Sequence, residues 1–266
     1  MSREVERELR ETYSDAAASW AAGPSRVYRL LADALVACIP DVAPGARVLD
    51  LGAGTGVASA AVAPTGAHVI AVDVAYGMLR HDSGSRPPAV GADAAHLPFR
   101  TGSVDHVVAA FVLNHVPDLV AALAELARVV RPGGTIAASS FPTERQHPAK
   151  DAIGEVVDAA GFVPPAWFAT FKAEREGPSG SEDAFRRAAG AAGLTRIAVH
   201  DLDVDISGVG ADGLAAYRLG MAQIQPFLGS LDGARRAEVE HAAVAAAAPF
   251  LEVPMPMLAL VARVQG

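Results

Sequence analysis

From residue 40 onward, the apolar positions of this chain form short continuous runs instead of alternating with polar ones. Continuous runs of this length are typical of parallel strands that helices cover on both faces. Five runs fall between residues 47 and 141, and two more fall between residues 194 and 264. They span 47–52, 68–73, 88–93, 104–111, 135–141, 194–206 and 255–264.

Helical patterns separate these runs, among them "VASAAVAP", "AYGMLRHD" and "VPDLVAALAELARVV". The last of these meets "RPGG", a Pro-Gly-Gly stop that is expected to end the helix and lead into the next strand. Strand alternating with helix predicts an α/β fold: a doubly wound, mostly parallel, Rossmann-like sheet of seven strands. Ligands of such sheets bind at the carboxyl ends of the strands.

The same patterns predict one domain over residues 1–266. Helices over 1–39 would form a lid, and 40–141 would form the cofactor-binding half. The remainder, 142–266, would form a substrate half with insertions at about 142–180 and 208–253.

Composition narrows the function. The net charge of −8 disfavours a nucleic-acid partner, since such proteins normally carry a basic face. No apolar stretch has the length of a bilayer span, and the charged N-terminus lacks the pattern of a secretory peptide. Cys38 is the single cysteine, which excludes an internal disulfide and a thiol-rich zinc site. We therefore expect a cytoplasmic protein that acts on a small molecule, with no metal and no membrane partner.

The stretch "DLGAGTG" carries glycines at 52, 54 and 56, where the first strand should turn into a helix. A dinucleotide fingerprint needs glycine at the position of Val57, and a phosphate loop needs a lysine that is not there. The spacing thus favours a ligand that approaches the bare backbone without a phosphate.

An acid follows each of the first three strands. Asp50 could bind an ammonium group, Asp73 could accept both hydroxyls of a ribose, and Asp93 could accept from an adenine amino group. An amino acid, a ribose and an adenine in that order describe S-adenosylmethionine.

The chain resembles the class I S-adenosylmethionine-dependent methyltransferases, in particular the small-molecule group that includes ubiquinone/menaquinone C-methyltransferases. The resemblance rests on "VLDLGAGTG", "VIAVDVAYGML", "GADAAHLPF", "SVDHVVAAFVLNHVPD" and "ELARVVRPGG", which occur in the family's order between residues 47 and 134. It implies binding of S-adenosylmethionine and release of S-adenosylhomocysteine.

The resemblance also implies contacts for individual residues. Backbone of the glycine loop would lie beneath the methionyl and ribose groups, and an aromatic residue of the N-terminal helix would reach the cofactor. The implied cofactor residues are Tyr13, Asp50, Gly52, Ala53, Gly54, Asp73, Val74, Asp93, Ala94, Ala110 and Phe111.

Methyl transfer from a sulfonium can proceed by proximity alone, whereas a hydroxyl or carbon acid benefits from a base. His115 and His147 follow the fourth and fifth strands and are the candidate bases; a structural role stays open for both. A [DNS]-P-P-[YF] motif, typical of nucleic-acid amine methylation, is replaced by "FVLNHVPD".

Aromatic residues outside the cofactor half favour a hydrophobic acceptor, aromatic or polyketide-like, methylated on oxygen or carbon. The candidate pocket residues are Trp20, Trp167, Phe168, Phe171, Tyr217 and Met221. The alternative is a protein that binds the cofactor without methylating, such as a cyclase or a regulatory subunit. A nicotinamide oxidoreductase is disfavoured by Val57 and Asp93.

Overall fold

The computed structural model describes residues 3–40, 42–175 and 179–266. Its described part contains one sheet of seven strands. The strands are β1 (Arg47–Leu51), β2 (His68–Asp73), β3 (Ala89–Gly91), β4 (Val104–Ala110), β5 (Val130–Ser140), β6 (Thr195–Val204) and β7 (Met255–Arg263). All seven predicted runs therefore form strands.

Strand order in the sheet is β3-β2-β1-β4-β5-β7-β6. The first five strands are parallel to one another, and β7 runs antiparallel to both β5 and β6. The predicted α/β, mostly parallel, seven-stranded fold is confirmed. The carboxyl ends of β1, β2 and β4 lie side by side, which places the glycine loop at the centre of that edge.

The predicted start of the fifth strand is wrong. The strand begins at Val130 instead of Thr135, so "RPGG" lies inside it and does not precede it. The pairing with β4 shifts register between Val104 and His106, and Gly133 has a φ of +75°. The irregular pairing at the start of β5 accommodates the proline and the glycines, which were expected to separate the helix from the strand.

Twelve α-helices occur in the described residues. They are α1 (Arg3–Asp15), α2 (Ala17–Ala22), α3 (Pro24–Ala37), α4 (Val57–Val62), α5 (Tyr76–Arg80), α6 (Leu119–Val129), α7 (Ala149–Ala159), α8 (Ala166–Arg175), α9 (Glu182–Ala191), α10 (Gly210–Leu219), α11 (Gln225–Ser230) and α12 (Gly233–Ala247). Both expected insertions contain helices: α7 and α8 in the first, and α10, α11 and α12 in the second. Residues 176–178 of the first insertion lie outside the described part.

Two hydrophobic layers cover the sheet, one on each face. On β4, Val108 belongs to the layer shared with α3, α10 and α12, while Val107 belongs to the layer shared with α6 and α9. Because successive side chains of a strand point to opposite faces, burial of both explains why the strands are continuously apolar.

The N-terminal helices pack over the ligand edge of the sheet. The backbone N–H of Gly77 in α5 donates to Oγ of Ser14 in α1 at 3.2 Å. A Cβ atom at Gly77 would lie 2.3 Å from the carbonyl oxygen of Ser14, so only glycine permits this approach. None of the helices in the described ranges is long and apolar enough to cross a bilayer.

Candidate active site

The loop between β1 and α4 forms the floor of the site from bare backbone. Gly52, Gly54 and Gly56 have φ values of +65°, +51° and +98°, a region that favours glycine. A Cβ atom on Gly52 would lie 2.3 Å from Cγ2 of Val112, in the segment after β4. The glycines therefore allow both the turn and the close approach of two strand ends.

Asp73, the last residue of β2, is tied to that loop. Its Oδ2 accepts from the backbone N–H of Gly54 at 2.8 Å, and its Oδ1 accepts from that of Ala75 at 2.7 Å. Burial raises the pKa of Asp73, and the two N–H bonds oppose that rise. Each oxygen keeps a further acceptor position for a ligand hydroxyl.

Asp50 and Arg86 lie beneath the loop. Asp50 has no exposed surface: its Oδ2 accepts from Oγ of Ser59 at 2.5 Å, and its Oδ1 has no partner. Burial raises its pKa to about 6. Arg86 donates to the carbonyl oxygens of Gly54, at 3.0 Å, and Met78, at 2.8 Å. The structure thus corrects the expectation that Asp50 faces the ligand, because the carboxylate is enclosed under the loop.

Two adjoining cavities of about 640 and 760 Å³ open above the loop. Gly52, Asp73 and Val74 line both, so Asp73 lies where the two meet. Except for Asp50, every predicted cofactor residue lines at least one of them. The first holds Asp93 and Ala94; the second holds Tyr13, Ala53, Gly54, Ala110 and Phe111.

The geometry fits the three parts of S-adenosylmethionine. The first cavity is closed from above by Glu6, Leu9 and Arg10 of α1, and its floor carries Asp93, whose Oδ1 accepts from the N–H of Ala95 at 2.8 Å. Asp93 in the first cavity, Asp73 where the two cavities meet, and the second cavity beyond it could hold an adenine, a ribose and a methionyl group in that order.

A third cavity, of about 960 Å³, adjoins the second one. Tyr13, Tyr28 and His115 line both. The ring centroids of Tyr13 and His115 are 5.5 Å apart in an edge-to-face contact, and His115 stacks on Phe171 at 4.7 Å. These aromatic rings form the boundary between the cofactor-shaped cavities and a separate compartment.

The predicted acceptor pocket is partly assembled in this third cavity. Phe168, Phe171, Tyr217 and Met221 line it, whereas Trp20 lines the second cavity. Trp167 is only 6% exposed and packs behind Phe168 and Phe171 against Leu9. The expectation for Trp167 is therefore corrected: it supports the wall and does not line the cavity.

Tyr28 was missed by the sequence reasoning. It stacks on Trp20 at 5.3 Å and lies edge-to-face against Phe111 at 5.1 Å. Burial, together with a hydrogen bond to the Tyr217 hydroxyl, raises its pKa well above the usual range. Tyr28 lies in the amphipathic helix α3, where an aromatic residue is ordinarily assigned to the hydrophobic core. No local sequence signal identifies it as a cavity residue.

His147 lines the third cavity, but both of its ring nitrogens have partners. Nε2 lies 2.9 Å from the carbonyl oxygen of Val253, and Nδ1 accepts from the N–H of Ala149 at 3.3 Å. The side chain is buried, and burial lowers its pKa. This neutral, doubly bonded imidazole favours the structural role over the catalytic one.

His115 keeps its place as the candidate base, since it borders all three cavities. Within the described ranges, no three His, Cys, Asp or Glu side chains are grouped as metal ligands would be.

Known proteins resemble this chain in sequence and in fold. Residues 49–138 match the family model for a methyltransferase domain. A demethylmenaquinone methyltransferase of Corynebacterium urealyticum is 44% identical over 103 residues, which make up 39% of this chain and 45% of that protein. The chain thus spans less than half the length of the curated relatives it matches.

Solved structures extend the likeness to the whole fold. A chain from the complex between the Haloferax volcanii Trm112 methyltransferase activator and a methyltransferase superposes with a TM-score of 0.62 at 22% identity, covering 96% of this chain and 98% of that one. The [4+2]-cyclase SpnF superposes with a TM-score of 0.54 at 19% identity, covering 89% and 81%. At these identities the likeness establishes a common architecture and nothing about the reaction.

Proposed function

We propose that this chain is a class I S-adenosylmethionine-dependent methyltransferase that methylates a hydrophobic small molecule on oxygen or carbon. The family's cofactor is S-adenosylmethionine. The observation that carries the proposal is the shared boundary at Tyr13, Tyr28 and His115, where the cofactor-shaped cavity meets an aromatic-lined compartment. A donor and an acceptor in these two spaces would meet across that boundary.

When bound, the cofactor supplies a methyl group on a positively charged sulfur, which is already a strong electrophile. This chain would then have to hold the cofactor and the acceptor, orient them toward each other and shield them from water. Asp73 would accept the ribose hydroxyls, Asp93 would accept from the adenine edge, and the backbone of Gly52 to Gly54 would lie beneath the methionyl group. Arg86 and Asp50 would hold the loop from below.

On the acceptor side, Phe168, Phe171 and Met221 offer apolar and aromatic surface. The phenols of Tyr28 and Tyr217 stay protonated at neutral pH because burial raises the pKa of each. They can therefore donate hydrogen bonds but cannot act as the base. The N-terminal helices would exclude water from the boundary, and His115 would take a proton from a hydroxyl or carbon acid.

The test is turnover on a defined acceptor panel. The purified protein is incubated with S-adenosylmethionine and hydroxylated quinone-like, naphthalene and polyketide-like acceptors; quinone-like compounds come first because of the named relatives. Gain of one methyl group by mass, together with formation of S-adenosylhomocysteine, supports the proposal, and His115→Gln should slow turnover more than it weakens cofactor binding. Tight cofactor binding without any methylated product would point to the alternative, a cyclase or regulatory subunit.

A further inference from the structure

The third cavity has a positively charged lining, although the chain as a whole carries a net charge of −8. Four basic side chains line it, and they include both lysines of the sequence. No Asp or Glu occurs among the described lining residues. The four are Arg145, Lys150, Lys172 and Arg218. Four basic side chains in one cavity are unexpected in an acidic chain that has only two lysines.

Two of these cations have partners within the protein. Arg145 is paired with Asp201 and Asp203 at the edge of the cavity. The Nζ atom of Lys150 donates to Oε1 of Gln146 at 2.7 Å. Each of these two side chains therefore already has a partner at the cavity.

Arg218 and Lys172 differ from that pair. Among the residues that the structure describes, no carboxylate is within ion-pair distance of either. The Nε atom of Arg218 is buried and has no hydrogen-bond partner among the residues described by the structure. A buried N–H of a guanidinium without an acceptor is unfavourable in the empty protein and is satisfied when a ligand brings the acceptor.

Arg218 also faces the two phenols. It follows Tyr217 at the end of α10, and its positive charge acts on both Tyr28 and Tyr217, against the effect of their burial. The guanidinium and the hydrogen-bonded phenols therefore form one donor cluster in an aromatic cavity. Charge-assisted bonds from such donors are strongest to oxyanions.

We infer that the acceptor of the third cavity is an apolar acid: an aromatic or polyketide-like body carrying one anionic oxygen group, such as a carboxylate, that Arg218 and Lys172 bind. This inference rests on the proposed function for the identity of the cavity as the acceptor site. Arg218 sets substrate class, because a neutral acceptor of the same shape leaves its buried N–H unsatisfied. Carboxylate, sulfonate and phenolate acceptors share the required chemistry.

The probes are anilinonaphthalene sulfonate and phenylnaphthylamine, fluorescent compounds with the same rings that differ by the sulfonate. Each is titrated into the full protein, with and without S-adenosylhomocysteine. We expect the sulfonate to bind about tenfold or more tightly than the neutral compound, as one charged hydrogen bond provides. Arg218→Gln should remove that preference, Arg218→Lys should keep most of it, and Lys172→Gln should reduce it. Arg236→Gln, which removes an exposed charge on α12, is the control.

Equal binding of the two probes by the wild type, failure of the sulfonate to bind, or a preference that survives Arg218→Gln would overturn the inference. So would displacement of the sulfonate by S-adenosylhomocysteine, since the probe would then occupy the cofactor cavities. Because Lys172 is exposed on α8, Lys172→Gln and the salt dependence of sulfonate binding decide the matter even if the Arg218 variants fail to fold. The titration measures binding and does not require methyl transfer. If the protein prefers the sulfonate but methylates no acceptor, only the proposed function is refuted. If it methylates neutral acceptors and shows no preference for the sulfonate, only this inference is refuted.

Discussion

The backbone N–H of Gly54 donates a 2.8 Å hydrogen bond to Oδ2 of Asp73, which joins the glycine loop after β1 to the acidic end of β2. Arg86 holds the carbonyl oxygen of the same glycine from below. The residue that would bind a ribose and the backbone that would carry the methionyl group are therefore positioned by each other. Cofactor binding and local stability are coupled at this point.

Asp73→Asn tests that coupling. An amide has one acceptor oxygen, so either Gly54 or Ala75 loses its partner, and unfolding should become easier by about 1–3 kcal/mol. Affinity for S-adenosylhomocysteine should fall by about tenfold or more, since a charged acceptor is lost as well. Urea denaturation and calorimetry measure the two effects. Asp33→Asn, on the exposed side of α3, is the control; equal affinities in both variants would refute the ribose assignment.

Gly52→Ala tests the close approach of the loop to Val112. Gly52 and Gly133 both have positive φ values, of +65° and +75°, so alanine at either position strains the backbone by about 1–2 kcal/mol. At Gly133 the added Cβ meets nothing within 4 Å, whereas at Gly52 it lies 2.3 Å from Val112. Only Gly52→Ala should add a steric clash, which lowers the stability further, and abolish cofactor binding. The idea fails if the two variants have the same melting temperature and the same affinity.

Asp50 should make stability depend on pH. Burial raises the pKa of Asp50 to about 6 in the folded protein. Below the unfolded pKa, both states are protonated; as pH rises above it, the unfolded chain ionises first, and folding stability falls until the folded carboxyl has ionised too. Relative to Asp50→Asn, which stays neutral, the wild type should lose about 3 kcal/mol between about pH 4 and about pH 7.

Urea unfolding of both proteins at steps across that range gives the comparison. Subtracting the two free energies of unfolding removes the contribution of the other carboxyls, because the two proteins differ only in the side chain of residue 50. A stability difference that stays constant with pH would mean that the charge of Asp50 is fully compensated in place, with Arg86 as the available cation.

Much of this architecture could be predicted because the deciding signals are local. Continuous apolar runs identified all seven strands, and the place of Asp73 at the end of β2 was enough to predict that it lines the ligand cavity. The glycine spacing excluded a dinucleotide loop, since Val57 occupies the sixth position of that motif.

What could not be predicted depends on contacts between distant segments. Asp50 and Asp73 both lie at the carboxyl ends of strands, yet only the packing of Ser59 and Arg86 decides that the first is enclosed and the second lines the cavity. Trp167 and Phe168 are neighbours on one helix, and only the position of Leu9 decides which of them is covered. Arg218 and Lys172 meet in one cavity although 46 positions separate them in the sequence.

Gly77→Ala tests the docking of the N-terminal helices. The new Cβ would overlap the carbonyl oxygen of Ser14, so α1 should move away from α5 and expose the first cavity. Proteolysis within α1 should accelerate, and cofactor affinity should fall by about tenfold as Leu9 and Arg10 leave the wall.

The matched control is Gly154→Ala in α7, where nothing lies within 4 Å of the added Cβ. This helical position should gain about 0.5–1 kcal/mol of stability with unchanged affinity. Unchanged proteolysis in Gly77→Ala would show that α1 is not held by this contact.

The central claim is that the two cavities above the glycine loop bind S-adenosylmethionine. It is tested most directly by calorimetric titration of the purified protein with S-adenosylmethionine and, separately, with NADH. We expect micromolar, one-to-one binding of S-adenosylmethionine, no heat with NADH, and binding of S-adenosylmethionine that is weaker by about tenfold or more in Asp73→Asn. Binding of NADH, or no binding of S-adenosylmethionine by the folded wild type, would contradict it.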